Sequence, residues 1–270
     1  MIVSVLGCGW FGFELAKALV KQGIRVNGST TSSDKLAQLS EVRIHPYLIA
    51  LPSTDTKVDE EFYQCDVLVI AIPPKSRSGE DDLYVDKMKS IIQAATTHQI
   101  KRVILISSTG VYANSNRKFT ETDEPMPDTA SGKILLQAEK LFLTESSFQT
   151  SIIRFGGLVG PGRDPGRFFA GKQDVPNGQA PVNLIHQNDC VSIALAVITQ
   201  PITASIIDAC SPHHPPKQEF YKMAAARSGL PLPTFVDELQ SWKIVDSQVL
   251  TYTLHYQFQV DNWFAWLTEA

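Results

Sequence analysis

Apolar runs alternate with segments of helical spacing through the first 160 residues. The run Met1-Ile2-Val3-Ser4-Val5-Leu6 predicts a strand, and Glu14–Lys21 carries apolar residues at helical spacing. A second strand follows at Ile24-Arg25-Val26. Asp66–Ala71 reads as a buried strand ending at Ile72-Pro73-Pro74, and Asp81–His98 repeats apolar residues (Leu83, Met88, Ile91, Ile92, Ala95) at helical spacing. Arg102–Ile106 is another strand, Lys133 to Leu143 a helix, and Ser151–Arg154 a strand. Several strands are continuously apolar rather than alternating, as expected where both faces of a sheet are covered. The βαβ order implies a parallel sheet with right-handed crossovers. Ligands in such sheets sit beyond the C-terminal strand ends. Those ends are Gly7–Gly12, Gly28–Ser32, Ala71–Pro74, Ser107–Tyr112 and Arg154–Gly160.

Beyond Gly162 the texture changes. Gly and Pro crowd Gly160–Pro181, with Arg163, Asp164, Arg167 and Lys172 among them. Asp189 is the expected N-cap of a helix over Cys190–Thr199. A strand is expected at Ser205–Cys210, and Pro215-Pro216-Lys217 opens a helix through Arg227 that Gly229 and Pro231 stop. This divides the chain into a domain over 1–160 and a smaller substrate-side lobe over 161–270. Segments near 182–210 are expected to return to the main sheet.

The turn between the first strand and helix is Gly7-Cys8-Gly9-Trp10-Phe11-Gly12. Strand, GxGxxG and helix together form the fingerprint of a dinucleotide site. The first glycine permits the turn, the second lets a pyrophosphate approach the backbone, and the third lets helix and strand pack closely. The helix N-terminus adds N–H groups and a positive partial charge. The fold expected is a Rossmann-type, doubly wound α/β sheet. Gly7, Gly9, Trp10, Phe11 and Gly12 are the first cofactor-binding candidates, joined by Ala71, Ile72, Pro73, Ser107, Phe155, Gly156 and Leu158 at later strand ends. The second strand runs into Thr30-Thr31-Ser32, with no acid before Asp34. An acid there would bind the ribose 2′-OH of NAD. A hydroxyl-rich loop does not repel a 2′-phosphate, so NADP is favoured over NAD, although only Lys35 is near to clamp it.

Composition narrows the class. The chain has 270 residues, 43% hydrophobic, which suits one large domain with an appendage. A net charge of −4 without a long basic run argues against nucleic-acid binding. No apolar run reaches membrane-spanning length, and no basic segment precedes an apolar signal core. Cys8, Cys65, Cys190 and Cys210 lack metal-type spacing. A reduced, cytoplasmic protein without a metal is expected, monomeric or homodimeric, with a small-molecule substrate.

At Ser107-Ser108-Thr109-Gly110-Val111-Tyr112 the chain resembles the extended short-chain dehydrogenase/reductases, the epimerase/dehydratase group. Glu121–Pro125, Arg154–Gly162, Asn183–Asp189 and Lys243–Ser247 agree in order, so the resemblance covers nearly the whole chain. It implies an NAD(P)-dependent oxidoreductase, epimerase or dehydratase acting on a small molecule, sugar nucleotides included. The family's acid/base pair is Tyr-x-x-x-Lys, whose Lys lowers the Tyr pKa. Its pattern laid on Pro127–Leu135 puts Ser131 at the Tyr position and Leu135 at the Lys position. A serine hydroxyl is a far poorer proton donor than a phenol of pKa about 10, and leucine carries no charge. Ser108, at the Ser/Thr position, is retained. Gly157 stands where many sugar-nucleotide members carry Asn, and the glycine turn is shorter than their Gly-x-x-Gly-x-x-Gly.

Ser108, Tyr112 and Ser131 are therefore the catalytic candidates. Each has a plainer reading: a turn hydroxyl for Ser108, packing for Tyr112, a helix N-cap for Ser131. Lys133, two residues from Ser131, either brings a charge near the site or, the favoured reading, is a solvated helix lysine. Arg163 and Arg167 are candidate anion contacts in the substrate lobe, or else solvated loop charges. His186 is a hydrogen-bonding candidate for substrate. His213-His214 reads as a surface turn without function. The rival to an enzyme is a catalytically degenerate NAD(P)-binding sensor or partner-binding protein.

Overall fold

The computed structural model describes residues 1–51, 60–74, 81–201 and 204–269. A mainly parallel seven-stranded sheet forms the centre. Its strands are β1 (Ile2–Leu6), β2 (Arg25–Thr30), β3 (His45–Leu48), β4 (Val67–Ile70), β5 (Arg102–Ser108), β7 (Gln149–Phe155) and β10 (Ile206–Ala209). They lie in the order β10-β7-β5-β4-β1-β2-β3. Strand order reverses between β1 and β4, and a ligand is expected at the C-terminal ends of such a pair. β4 is buried at every position, which is why its sequence is continuously apolar. Helix α1 (Trp10–Lys21) buries Phe11, Gly12, Leu15, Ala16 and Leu19, one stripe at helical spacing. α2 (Leu36–Glu41), α3 (Asp81–Thr97), α4 (Ala130–Thr144) and α5 (Gln187–Thr199) complete the helical order through β10.

The chain forms two compact units that interleave in sequence. The first comprises residues 1–107, 129–153 and 191–206; the second comprises 108–128, 154–190 and 207–270. A single cut near residue 160 divides the chain differently. In the second unit β6 (Arg117–Phe119) pairs in parallel with β11 (Lys243–Val245), and β8 (Gly157–Val159) with β9 (Leu184–His186). Helices α6 (Lys217–Arg227) and α7 (Trp263–Glu269) pack over a core of Val159, Val182, Leu184, Phe220, Val260 and Trp263. Of the segments near 182–210, β10 joins the main sheet, whereas β9 stays in the small pair.

Three local expectations are corrected. Asp189 is not an N-cap: α5 begins at Gln187, and Asp189 is fully buried. Its carboxylate accepts from Tyr256 Oη at 2.8 Å, Gln259 N at 2.7 Å and Val260 N at 3.2 Å, anchoring the C-terminal segment. Ser131 does not cap α4; Thr129 does, its hydroxyl accepting from Gly132 N at 3.1 Å. His213 and His214 do not stand free in a surface turn: both are half-buried and bonded to backbone. His213 Nδ1 accepts from Trp263 N at 2.9 Å, and His214 Nδ1 lies 2.9 Å from Val182 O. All four cysteines are free thiols, three of them buried.

Candidate functional site

The glycine turn lies at the strand-order reversal of the first unit. Gly7 sits at φ +103°, a conformation that favours glycine, and a Cβ there would lie 3.1 Å from Ala71 O at the end of β4. A Cβ on Gly12 would lie 2.2 Å from Gly7 O, so the third glycine is forced by helix-on-strand contact. Gly9 differs: a Cβ there meets nothing within 4 Å. The protein gives Gly9 no packing reason to be small, and the space beside it suits a close-lying pyrophosphate. Gly9 is also the N-cap of α1, and no side chain caps that helix. The residues present therefore fit a dinucleotide. Ser29, not singled out from sequence, holds the turn in place. Its hydroxyl accepts from Gly7 N at 2.9 Å, and its carbonyl accepts from Cys8 N at 2.7 Å. Gly28 follows from the same packing, since a Cβ there would strike Ile44 and the Cys8 sulfur.

The other cofactor candidates of this unit are placed unevenly. β2 extends to Thr30, whose buried hydroxyl accepts from Ser32 N at 3.2 Å, while Thr31 is exposed. Trp10 is half-buried; Phe11 is buried, so only its backbone is available to a ligand. Ala71 and Ile72 are half-buried and Pro73 exposed, and Ile72 O accepts from Tyr84 Oη at 3.3 Å. The Ser107 hydroxyl is committed to the buried Glu139 carboxylate at 2.5 Å. Ser131, Leu135 and Glu139 recur every four residues on α4, one face of the helix. Leu135 is buried, Ser131 half-buried and Lys133 exposed.

Ser108 opens the second unit. Its Oγ accepts from Gly110 N at 3.1 Å, and its own hydrogen has no acceptor among the described residues. Tyr112, a catalytic candidate from sequence, has its hydroxyl engaged inside the unit. It is fully buried, and Arg154 Nη1 donates to its hydroxyl at 2.6 Å. That hydroxyl lies 2.8 Å from Asp208 Oδ2, to which it donates. Burial first, then the Asp208 charge, pushes its pKa far up. Lys243 reaches the same turn: Nζ donates to Thr109 O at 3.0 Å and to Tyr112 O.

Phe155, Gly156 and Leu158 lie in this unit too. Phe155 is buried, and a Cβ on Gly156 would lie 3.0 Å from Asn183 O. His186 is buried and kept below its usual pKa by desolvation; its Nδ1 accepts from Asn188 N at 3.2 Å. It lines a cavity of about 440 Å³ with Gly160, Gly162, Asp164, Arg227 and Trp266. Arg163 and Arg167 are exposed and are not among the lining residues, so the structure does not gather the three substrate candidates into one cavity. No cluster of potential metal ligands occurs among the described residues, and no helix there is long and apolar enough to cross a membrane.

Residues 7–201 match the NAD(P)H-binding protein family. The chain belongs to that family. It is 33% identical over 262 residues to Protein YeeZ of Escherichia coli strain K12, covering 95% of each chain. Among solved structures it is similar to a short-chain dehydrogenase/reductase superfamily protein of Agrobacterium tumefaciens with bound NAD. There the TM-score is 0.80 at 17% identity, over 100% of this chain and 96% of the other. It is also similar to UDP-glucuronic acid 4-epimerase from Bacillus cereus, in complex with UDP-glucuronic acid and NAD. That match has a TM-score of 0.80 at 17% identity, over 99% and 96% of the two chains. The chain thus shares its fold with a short-chain dehydrogenase/reductase superfamily protein and with a UDP-glucuronic acid 4-epimerase.

Proposed function

We propose that this protein is an NAD(P)-dependent oxidoreductase of the epimerase/dehydratase type, acting on a small molecule and preferring NADP. The observation that carries the reading is Gly9, a glycine with open space where its side chain would be, at the uncapped start of α1. An anion gains there from the helix dipole and from close backbone approach. Thr30, Thr31 and Ser32, without an acid, support the NADP preference. A bound nicotinamide supplies the hydride donor or acceptor. Ser108 supplies the O–H that orients and polarises a substrate oxygen. Tyr112 and Arg154 hold the protein together around it and take no part in proton transfer. The Bacillus cereus structure holds UDP-glucuronic acid, which makes sugar nucleotides the first substrates to try.

A second reading, a non-catalytic NAD(P)-binding sensor, is favoured by one feature: Ser131 and Leu135 leave α4 without the phenol and the cation. NADPH turnover over a panel of carbonyl compounds and nucleotide sugars separates the two. An enzyme oxidises NADPH with at least one compound and loses about 10²-fold or more of that rate in Ser108→Ala, the scale of a lost acid–base group. Turnover unaffected by Ser108→Ala removes the serine from the site, and binding with no turnover across the panel supports the sensor.

A further inference from the structure

Lys243 is built into the second unit rather than draped over it. β11 lies beside β6 with Lys243 opposite Arg117, and Asn116 N donates to Trp242 O at 2.8 Å. From the other side Asn183 Nδ2 donates to Lys243 O at 2.9 Å, and Asn183 Oδ1 accepts from Val245 N at 2.9 Å. The backbone is thus pinned on both sides, and the side chain ends on the turn that follows Ser108. Its ammonium has three N–H donors. Two go to the neutral carbonyls of Thr109 and Tyr112, and the third has no acceptor among the described residues. No described carboxylate lies within ion-pair distance of Nζ; Asp128, whose carboxylate accepts from Asn114 N at 3.2 Å, acts on it only from farther off. Carbonyls solvate a half-buried cation but do not neutralise it. Desolvation lowers the pKa of this one, and the charge of Asp128 acts against that shift.

We propose that Lys243 is the cation of the substrate site and that, with Ser108, it binds a carboxylate carried by the substrate. The proposal rests on the oxidoreductase reading above. Leu135 leaves the α4 position uncharged, and Lys243 brings a charge to the Ser108 turn from a different part of the chain. Two donors, one charged and one neutral, match the charge and the two oxygens of a carboxylate. A phosphate dianion calls for more donors and more charge than this turn supplies.

The test titrates oxamate and its uncharged counterpart oxamide, in saturating NADPH, into the full-length wild type and into Lys243→Gln, Lys243→Arg and Ser108→Ala. Gln retains N–H donors for the Thr109 and Tyr112 carbonyls but not the charge. The wild type is expected to bind oxamate in preference to oxamide, Arg to retain that preference, and Gln to lose about tenfold or more in oxamate affinity. Circular dichroism of each variant reads folding separately. NADPH titration of the wild type alone reads the cofactor assignment, so its failure is distinguishable from a failure of the oxamate arm. Equal binding of oxamate and oxamide by the wild type overturns the proposal without any variant. Wild-type oxamate affinity in a folded Lys243→Gln overturns it too, leaving Lys243 as a clamp on the turn.

Discussion

Gly9→Asp separates binding from folding because the two consequences of that substitution have opposite signs. A Cβ at position 9 meets nothing within 4 Å, so the new side chain displaces no protein atom. Gly9 is the N-cap of α1, a position where Asp is preferred and gains a few tenths of a kcal/mol over Gly. The folded protein should therefore be as stable as the wild type. A pyrophosphate lying against the turn would meet the new carboxylate at about 4 Å, where one pair of like charges costs about 4 kcal/mol at an effective dielectric near 20. That is about a thousandfold in affinity. Gly12→Ala is the contrasting control. Its Cβ would sit 2.2 Å from Gly7 O, so that variant should lose stability first and binding as a consequence. Calorimetric titration with NADPH, beside thermal melts of all three proteins, reads both quantities. A Gly9→Asp protein that melts like the wild type and binds NADPH with wild-type affinity would refute the placement of the pyrophosphate.

Thr31→Asp places an acid at the exposed position just past β2, where it accepts from a ribose 2′-OH and repels a 2′-phosphate. The ratio of NADPH to NADH affinities should fall in this variant, and a wild-type preference for NADH would already contradict the reading. Arg154→Met leaves the fully buried Asp208 without its cation, 3.9 Å away in the native pair, and should cost about 3–5 kcal/mol. Thermal or urea unfolding would show it, and a loss of less than about 1 kcal/mol, the middle of the range for ordinary point substitutions, would mean that the cluster around Tyr112 is not the structural brace described.

The main sheet and its glycine turn were legible because both are written locally. Continuous apolar runs mark β4 and β5, and the strand–GxGxxG–helix order marks the turn and its third glycine, whose contact with Gly7 O the structure bears out. What sequence reading missed depends on long-range partners. β6 and β11 are three-residue strands more than a hundred residues apart, and neither carries a periodic signal of its own. Tyr112 followed a strand end and so read as a site residue. Its burial depends on Arg154 and Asp208, which arrive from distant positions in the chain. Asp189 had the composition of a cap, but its partners lie about seventy residues on, at Tyr256, Gln259 and Val260. Ser29 was visible as a hydroxyl in a strand, and only the turn it supports gives it a role.

A crystal structure of the protein with NADPH is the most direct test. The account predicts the pyrophosphate against Gly9 and the first turn of α1, the 2′-phosphate beside Thr30, Thr31 and Ser32, and the Ser108 hydroxyl facing the nicotinamide. A dinucleotide bound away from the Gly7–Gly12 turn would contradict the central claim, and a different side chain at the nicotinamide C4 would contradict the role given to Ser108.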